Sequence, residues 1–365
     1  MNTSRIMLGI RRLALTSCVL AISAQSVFAG GFKIQDQSTR AMGMIDAFIA
    51  GADDASAVYY NPAGITQLVA PQLVGNFYIG HSTVYFDDPN GSDTSDGRIY
   101  VVPSGYFAMP LDEENTIFFG LGVYSPFGLG SRWGDDTAVS TFSTLSEIRL
   151  VNINPTLAWK ITDRLSVGAG VNYYKTRVIS RYIDPVFTGG EVDLDAKGDG
   201  WGYNLGLQFQ ASDTVALGLT YRSPVTVPLE GDAEFDGLGF SFDADSEIDL
   251  PAMIAAGISW QATEKLRLEL AAEWDKWSTR DSQTINIEFP ATVPLPGQQI
   301  AETDWDDSWV FMLGAEYQLD EKWTLRGGYG YNETPVPSDT ADPSLPTGDT
   351  HALSLGAGYK VNEDI

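Results

Sequence analysis

The amino-acid sequence predicts an all-β protein: a transmembrane antiparallel β-barrel whose lumen is filled by an N-terminal plug of short helices, called the hatch here. Three features indicate this fold. Segments of about ten residues alternate between apolar and polar side chains, aromatic residues stand at the ends of the apolar faces, and short turns alternate with long loops. The predicted division is an export signal at 1–29, the hatch at 30–70 and the barrel at 71–365.

The first 29 residues have the pattern of a secretory signal. Arg5, Arg11 and Arg12 precede a short apolar core at 13–23, and the small residue Ala29 ends a cleavage-site pattern. The core is too short to span a bilayer as a helix. A lipoprotein is an alternative, because LTSC resembles a lipid-attachment box, but only five residues separate its cysteine from the last arginine. An exported chain of this kind is either a periplasmic protein or an outer-membrane barrel of a Gram-negative bacterium.

Residues 30–70 do not alternate. They are rich in small residues, contain a short helical pattern at 41–49, and end near the turn signal Asn61-Pro62. Apolar side chains such as Met44 and Phe48 need burial, which favours a plug inside the lumen over a periplasmic tail.

The remaining chain alternates. Along 201–210 every second residue is apolar or aromatic, and glycine, asparagine or glutamine lies between; 266–275 repeats the pattern. A period of two indicates strands with one apolar face, and these exceed the five or six residues usual in soluble sandwiches. Twelve strands are predicted, near 72–86, 98–109, 116–127, 148–161, 164–182, 200–210, 213–228, 250–261, 264–279, 307–319, 322–332 and 350–361.

The strand ends and connections favour a membrane barrel. Aromatic residues close the apolar faces as an interfacial girdle does; they are Trp159, Tyr221, Trp260, Trp274, Tyr317, Trp323 and Tyr359. Short turns alternate with long polar loops, as at the periplasmic and extracellular ends of such a barrel. The long loops are predicted near 87–97, 128–146, 183–199, 230–249, 280–304 and 333–349.

Composition excludes several functions. The chain has 365 residues and a net charge of -26, which argues against a nucleic-acid partner. With two histidines and one cysteine, His/Cys metal sites and a cysteine nucleophile are nearly excluded. His81 and His351 lie in predicted strands without a serine motif nearby. We therefore expect no enzyme, no cofactor and no metal.

The sequence resembles a known family, the FadL-type outer-membrane transporters of long-chain fatty acids and other hydrophobic compounds. The matching segments run in order along the chain. They are GGFKIQ (30–35), DDASAVYYNPAGIT (53–66), YSPFGL (124–129), GWGYNLGLQFQ (200–210), LTYRSPVTVPLEG (219–231), DLPAMIAAGISW (249–260), EWDKWS (273–278), DWDDSWVFMLGAEY (304–317), NETPVPSD (332–339) and HALSLGAGYK (351–360).

The resemblance implies a fourteen-stranded barrel with a hatch that moves when ligand binds, and lateral exit at a kinked third strand. Here Pro126, Phe127 and Gly128 are the predicted lateral gate, because proline removes a ladder donor and glycine permits a bend. The alternative is that this segment only turns the strand into its outer loop. We expect a monomer that contacts outer-membrane lipid.

Two departures from the family pattern stand out. The chain ends at VNEDI, in the position of a periplasmic turn, so we expect a C-terminal truncation that removes the last strands. Asp306 also stands where family members often carry a lysine, which makes a fatty acid less secure as the substrate.

Candidate ligand contacts come from strand parity and from the resemblance. Parity places Arg222 and Arg326 in the lumen, where they either bind a ligand carboxylate or belong to charge ladders. The resemblance adds Arg181, although its parity faces the lipid unless a bulge intervenes. It also implies that Phe32 lies in a lumenal pocket, and that a hatch turn is held by the three residues Asn61, Pro62 and Ala63.

The predicted function is passive, energy-independent transport of hydrophobic molecules across the outer membrane, with long-chain fatty acids foremost. An aromatic-hydrocarbon transporter of the same fold needs no cationic anchor and is the nearest alternative. A structural or adhesive barrel with acidic surface loops is the alternative of a different class.

Overall fold

The computed structural model describes residues 14–15, 18–24, 30–88, 91–184, 190–236, 239–293, 295–345 and 348–361. Within these ranges the α-helices are α1 (Thr39–Met42) and α2 (Ala57–Tyr60), and 3-10 helices span Pro62–Gln67, Trp277–Thr279 and Ser338–Thr340. Among the described residues, no helix has the length and apolar character needed to cross a membrane.

Strands dominate the fold. In chain order they are β1 (Ala14–Leu15), β2 (Cys18–Ala24), β3 (Gln72–Ser82), β4 (Tyr85–Asp88), β5 (Gly91–Thr94), β6 (Arg98–Pro110), β7 (Ile117–Tyr124), β8 (Gly128–Arg132), β9 (Leu145–Lys160), β10 (Leu165–Ile183), β11 (Glu191–Ser212), β12 (Val215–Arg222), β13 (Val225–Phe235), β14 (Phe240–Leu250), β15 (Met253–Gln261), β16 (Leu266–Asp275), β17 (Ser282–Ile287), β18 (Gln298–Glu302), β19 (Ser308–Gln318), β20 (Trp323–Asn332) and β21 (Thr350–Tyr359).

The barrel wall is an antiparallel meander. Pairing runs from β3 through β6, β7, β9, β10, β11, β12, β15, β16, β19 and β20 to β21. All twelve predicted strands are present. Beyond the barrel wall, β13, β14, β17 and β18 continue the sheet, and β4 and β5 form a separate hairpin.

Several predicted loops are strands, which corrects the sequence prediction. The segments 230–249 and 280–304 contain β14, β17, β18 and part of β13, and β11 begins at Glu191, inside the predicted loop 183–199. These extensions alternate as the wall does, with apolar residues such as Phe235 and Ile248 buried on one face. The many acidic residues on the other face led the sequence prediction to assign them to loops.

The export signal predicted at 1–29 lies partly outside the described residues, as does its cleavage site. Within it, β1 pairs in parallel with β3, and β2 pairs antiparallel with β21. The β1 pairing covers only Gln72 and Leu73 of β3, whereas the β2 pairing covers β21 from Leu353 to Tyr359. That the segment is an export signal stays a prediction.

The two faces of each strand differ as predicted. In β9 the outward Ile153, Leu157 and Trp159 are exposed, whereas the alternate residues are buried against the lumen. Aromatic pairs close the outward belt: the rings of Tyr173 and Trp201 lie 4.7 Å apart at the long-loop end. A matching pair, Trp323 and Tyr359 at 4.8 Å, marks the short-turn end, which by this architecture faces the periplasm.

The hatch lies inside the lumen and is almost entirely buried. The predicted helical pattern at 41–49 is only partly correct, because α1 ends at Met42. Ile45 and Asp46 follow with φ of 56° and 62°, a left-handed conformation that a helix cannot continue through.

Lumenal glycines make room for the hatch backbone. A Cβ on Gly168 would overlap Pro62, and one on Gly218 would overlap the carbonyl of Ile49. The hatch therefore packs directly against the backbone of the barrel wall.

We expect Gly206→Val to displace the hatch. A Cβ at this position would overlap the Asn61 carboxamide and the Pro62 ring, and such overpacking costs about 1–3 kcal/mol. The ion conductance of the barrel in planar bilayers should rise. Gly75→Val is the matched control, because nothing lies within 4 Å of its added Cβ. Unchanged conductance in the Gly206 variant would contradict this view of the packing.

Candidate functional site

The third barrel strand is interrupted at the predicted gate. β7 ends at Tyr124 and β8 begins at Gly128. β7 pairs with β6 only from Gly105 to Pro110, and β8 pairs with β9. In the part of the chain that the structure describes, no ladder joins β8 to β6. Between β8 and the first half of β6 the continuous ladder is therefore missing, and the contacts there include Asp96 N donating to the Arg132 carbonyl at 2.8 Å and the Tyr100 hydroxyl donating to the Gly130 carbonyl.

The hatch takes over the backbone bonds of this interruption. Ile34 N donates to the Pro126 carbonyl at 2.9 Å, and Gly128 N donates to the Phe32 carbonyl at 2.8 Å. The Gln37 side chain donates to the carbonyl of Ser125 at 2.9 Å. A β-bridge also joins Lys33 to Phe127. The interrupted strand thus uses the N-terminal segment of the hatch as its hydrogen-bonding partner.

A cavity of about 350 Å³ lies at this opening. Its inner wall includes Lys33 and Ile34 of the hatch together with Phe127. Val101 and Val151 also line it, and both are exposed on the lipid-facing surface. The cavity therefore extends from the hatch through the wall to the outer surface of the barrel.

Phe32 lies in an aromatic cluster beside this cavity and is 1% exposed. Its ring centroid is 4.9 Å from that of Trp277, 5.8 Å from Phe127 and 6.1 Å from Trp305. The two tryptophans belong to the connections that follow β16 and β18 and fold back into the lumen.

Arg280 covers the cluster, with its guanidinium 5.3 Å from the centroid of Phe32 and 4.8 Å from that of Trp305. Burial lowers its pKa to about 10. Sequence reasoning missed Arg280, although it follows the family-matching segment EWDKWS (273–278) by two residues. Arg280 thus places a cation beside Trp305. Trp305 directly precedes Asp306, the residue that departs from the family pattern.

Lys33 is a second residue that sequence reasoning missed. Its buried ammonium binds Asp275 at 2.8 Å and also contacts Glu273. The ion pairs join the hatch to β16. The sequence gave no means of pairing Glu273 with a lysine that lies 240 residues away in the chain.

Arg222 is buried in the lumen, as parity predicts. Its guanidinium donates to Asn172 Oδ1 at 2.8 Å, Tyr124 Oη at 3.2 Å and the Tyr59 carbonyl at 3.3 Å. Within the described ranges, no carboxylate forms an ion pair with it. Arg222 lines a small cavity of about 40 Å³ with Lys33. It is thus a buried cation whose partners are all neutral.

Arg326 is also lumenal but lies among carboxylates. It binds Glu316 at 2.6 Å, and Glu316 also pairs with Arg40 of the hatch and with Arg267. Arg267 in turn binds Asp53 of the hatch at 3.0 Å. These five residues form an ionic base at the short-turn end, away from the cavity at the gate. The structure therefore supports the charge-ladder interpretation of Arg326.

Arg181 does not reach the lumen. The ladder between β10 and β11 runs without a shift from Leu165 to Ile183, so the bulge needed to turn this residue inward is not present. Its side chain instead pairs with Asp193 on the outer face at 2.7 Å. The implied contact with ligand is corrected by this register.

The predicted hatch turn is an anchoring point. Asn61 is fully buried and caps the following 3-10 helix by accepting from Ala63 N at 3.1 Å. Its amide donates to the carbonyls of Ile49 and Leu207 at 2.9 and 3.1 Å. Asn61 and Ala63, with Pro62 between them, therefore fix the hatch both to itself and to β11.

A further anchor, also missed, is Glu269 of β16. Its carboxylate accepts from the backbone N–H groups of Ile49, Ala50 and Gly51 at 2.6, 2.7 and 3.0 Å. Within the described residues, no group of three or more metal-ligating side chains is present. Glu269 therefore binds the hatch backbone to the barrel wall.

The chain thus forms a barrel that encloses a tightly held hatch and has one wall strand interrupted between Tyr124 and Gly128. The chain belongs to the family described as outer membrane protein transport protein (OMPP1/FadL/TodX), whose model matches residues 20–365. Membership confirms the resemblance, the outer-membrane location and the non-enzymatic class predicted from sequence.

Individual proteins support this assignment. The chain is 25% identical to the "Long-chain fatty acid transport protein" of Escherichia coli O6:H1, over 96% of this chain and 88% of that protein. Its fold matches the crystal structure of a Pseudomonas aeruginosa FadL homologue with a TM-score of 0.73 and 18% identity, over 91% and 100% of the two chains. The Pseudomonas putida toluene transporter TodX gives a TM-score of 0.66 and 17% identity, over 92% and 99%.

We expect Glu269→Gln to loosen the hatch. One carboxylate oxygen becomes an amide donor, so a buried N–H loses its acceptor, at about 1–3 kcal/mol. Hydrogen exchange measured by mass spectrometry should accelerate in peptides covering residues 49–51. Glu321→Gln, on an exposed turn, makes the same chemical change as a control. Equal protection in both variants would show that Glu269 does not anchor the hatch.

Proposed function

We propose that this protein carries hydrophobic molecules, long-chain fatty acids foremost, passively across the outer membrane, and that they leave through the wall at the interrupted strand. The cavity that runs from the hatch to the lipid-facing surface is the observation that supports this path. An apolar molecule that leaves sideways enters the bilayer without crossing water, which avoids the free energy of hydrating its apolar surface.

The gate proposal assigns the three residues Pro126, Phe127 and Gly128 to the exit. Ile34 of the hatch donates a backbone hydrogen bond to the interrupted strand, and Gly128 of that strand donates one to the hatch. A shift of the N-terminal hatch segment therefore removes hydrogen-bond partners from the interrupted strand. Movement of the hatch and widening of the exit are therefore one event in this proposal. Phe32, at the centre of the aromatic cluster, is the proposed apolar contact of the ligand.

Arg222 is the proposed anchor for a ligand carboxylate. Its hydrogen-bond partners are neutral, and an ionised acceptor makes stronger bonds to a guanidinium than neutral oxygens do. Arg326 is not proposed for this role, because Glu316 already neutralises it. A structural or adhesive barrel would not need a hatch held inside the lumen at several points.

The substrate class is tested by uptake of labelled oleate and of toluene into vesicles that contain the protein. We expect Arg222→Met to reduce oleate uptake by about tenfold, equivalent to about 1.4 kcal/mol, and to leave toluene uptake unchanged. Arg222→Lys retains the cation and is the control. Equal loss for both compounds would remove Arg222 as a carboxylate anchor. Uptake that does not depend on the protein would refute transport altogether.

The lateral exit is tested by filling it. Val102 lines the cavity at the opening, so we expect Val102→Trp to slow uptake of both compounds by about tenfold, equivalent to about 1.4 kcal/mol. Val171→Trp, on the lipid-facing surface outside the cavity, is the matched control. If the two variants transport equally well, the molecules do not leave by this opening.

A further inference from the structure

A group of basic side chains occupies one sector of the outer barrel surface. Arg149 of β9, Arg177 of β10 and Lys197 of β11 stand directly opposite one another across the ladders. Lys175 lies one step closer to the membrane and Arg181 two steps farther out on the same outward face of β10. These five residues, the rim patch, are concentrated on three neighbouring strands of a chain with a net charge of -26.

The level of the rim patch is defined by the apolar belt. On β10 the outward residues from Leu165 to Tyr173 are apolar or aromatic, and Lys175 is the next outward residue. On β11 Trp201 closes the belt, and its ring packs on Tyr173. The patch therefore lies just beyond the aromatic girdle at the long-loop end. This is the depth of the lipid headgroups in the outer leaflet.

Carboxylates neutralise part of the patch. Arg149 pairs with Glu147 at 2.8 Å and Arg181 with Asp193 at 2.7 Å, while Arg177 pairs with Asp195. No carboxylate forms an ion pair with Lys175 or Lys197 in the described part of the chain, although Asp199 stands opposite Lys175 and Glu230 opposite Lys197 in the ladders. Arg149 uses only its Nε in its ion pair, and its side chain is 59% exposed.

Like charges directly opposite on neighbouring strands repel each other. Glu147 and Asp195 offset this repulsion in the row of Arg149, Arg177 and Lys197, and the exposed nitrogens that they leave free can bind a further anion. Elsewhere the same level is acidic: Glu333 follows β20 and Asp349 precedes β21. Cations at headgroup depth are therefore a feature of this sector and not of the whole rim.

We propose that the rim patch binds the phosphate groups of a phosphorylated glycolipid of the outer leaflet, with its acyl chains along the apolar belt below. The exposed nitrogens of Arg149, Lys175 and Lys197 are the phosphate donors. Val151, which lies below Arg149, also lines the opening in the wall, so the bound lipid flanks the lateral opening. The assignment depends on the outer-membrane location and is independent of what the protein carries.

The test compares binding of diphosphorylated lipid A and of the same lipid after enzymatic dephosphorylation to the purified full-length protein, by native mass spectrometry. The triple variant Arg149→Gln, Lys175→Gln, Lys197→Gln should bind the phosphorylated lipid about a hundredfold more weakly, at about fivefold for each cation. Wild-type binding should weaken with added salt, which screens exposed charges.

Two further variants keep the test decisive. The double variant Lys175→Gln, Lys197→Gln breaks no ion pair. Its affinity for the phosphorylated lipid should still fall about 25-fold, because each cation contributes about fivefold. The control removes three exposed lysines at the short-turn end, with Lys160, Lys322 and Lys360 changed to glutamine, and should bind as wild type does. Equal binding by the triple variant, or equal binding of the dephosphorylated lipid, would overturn the proposal.

Discussion

The whole molecule is constrained by the need to pair every backbone N–H and C=O group that faces hydrocarbon, because lipid offers no hydrogen bonds. The meander meets this need along most of the wall. It fails between Tyr124 and Gly128, where the strand leaves the ladder. The hatch supplies the missing partners there through Phe32 and Ile34. The position of the hatch therefore decides whether these backbone groups of the wall have hydrogen-bond partners.

The hatch is held at two levels that differ in chemistry. Near the gate it is held by a few backbone bonds and by Lys33, which pairs with Asp275 at 2.8 Å. At the short-turn end it is held by Glu269, by Asn61 and by the ionic base around Glu316. The hatch segment near Phe32 is held by fewer contacts than the base, so in the proposed function it moves at the gate while the base keeps the hatch inside the barrel.

Sequence patterns predicted the wall well, because alternation reports which face a residue occupies and does so independently of distant contacts. Parity alone placed Arg222 and Arg326 in the lumen and Arg181 outside it. It could not separate Arg222, with neutral partners, from Arg326, paired with Glu316, because partners depend on how the hatch packs. Lys33 and Arg280 were missed for the same reason: their neighbours come from segments far apart in the chain.

The contrast between these lumenal arginines bears on selectivity. A guanidinium already paired with a carboxylate offers little to a passing anion, since a second acid would have to displace the first or be buried beside it. Arg222 carries its charge among hydroxyl, amide and carbonyl oxygens, and a ligand acid can replace one of these without leaving a buried carboxylate unpaired. A neutral hydrocarbon gains nothing there, so in the proposed function Arg222 is the residue at which the barrel would distinguish acids from hydrocarbons.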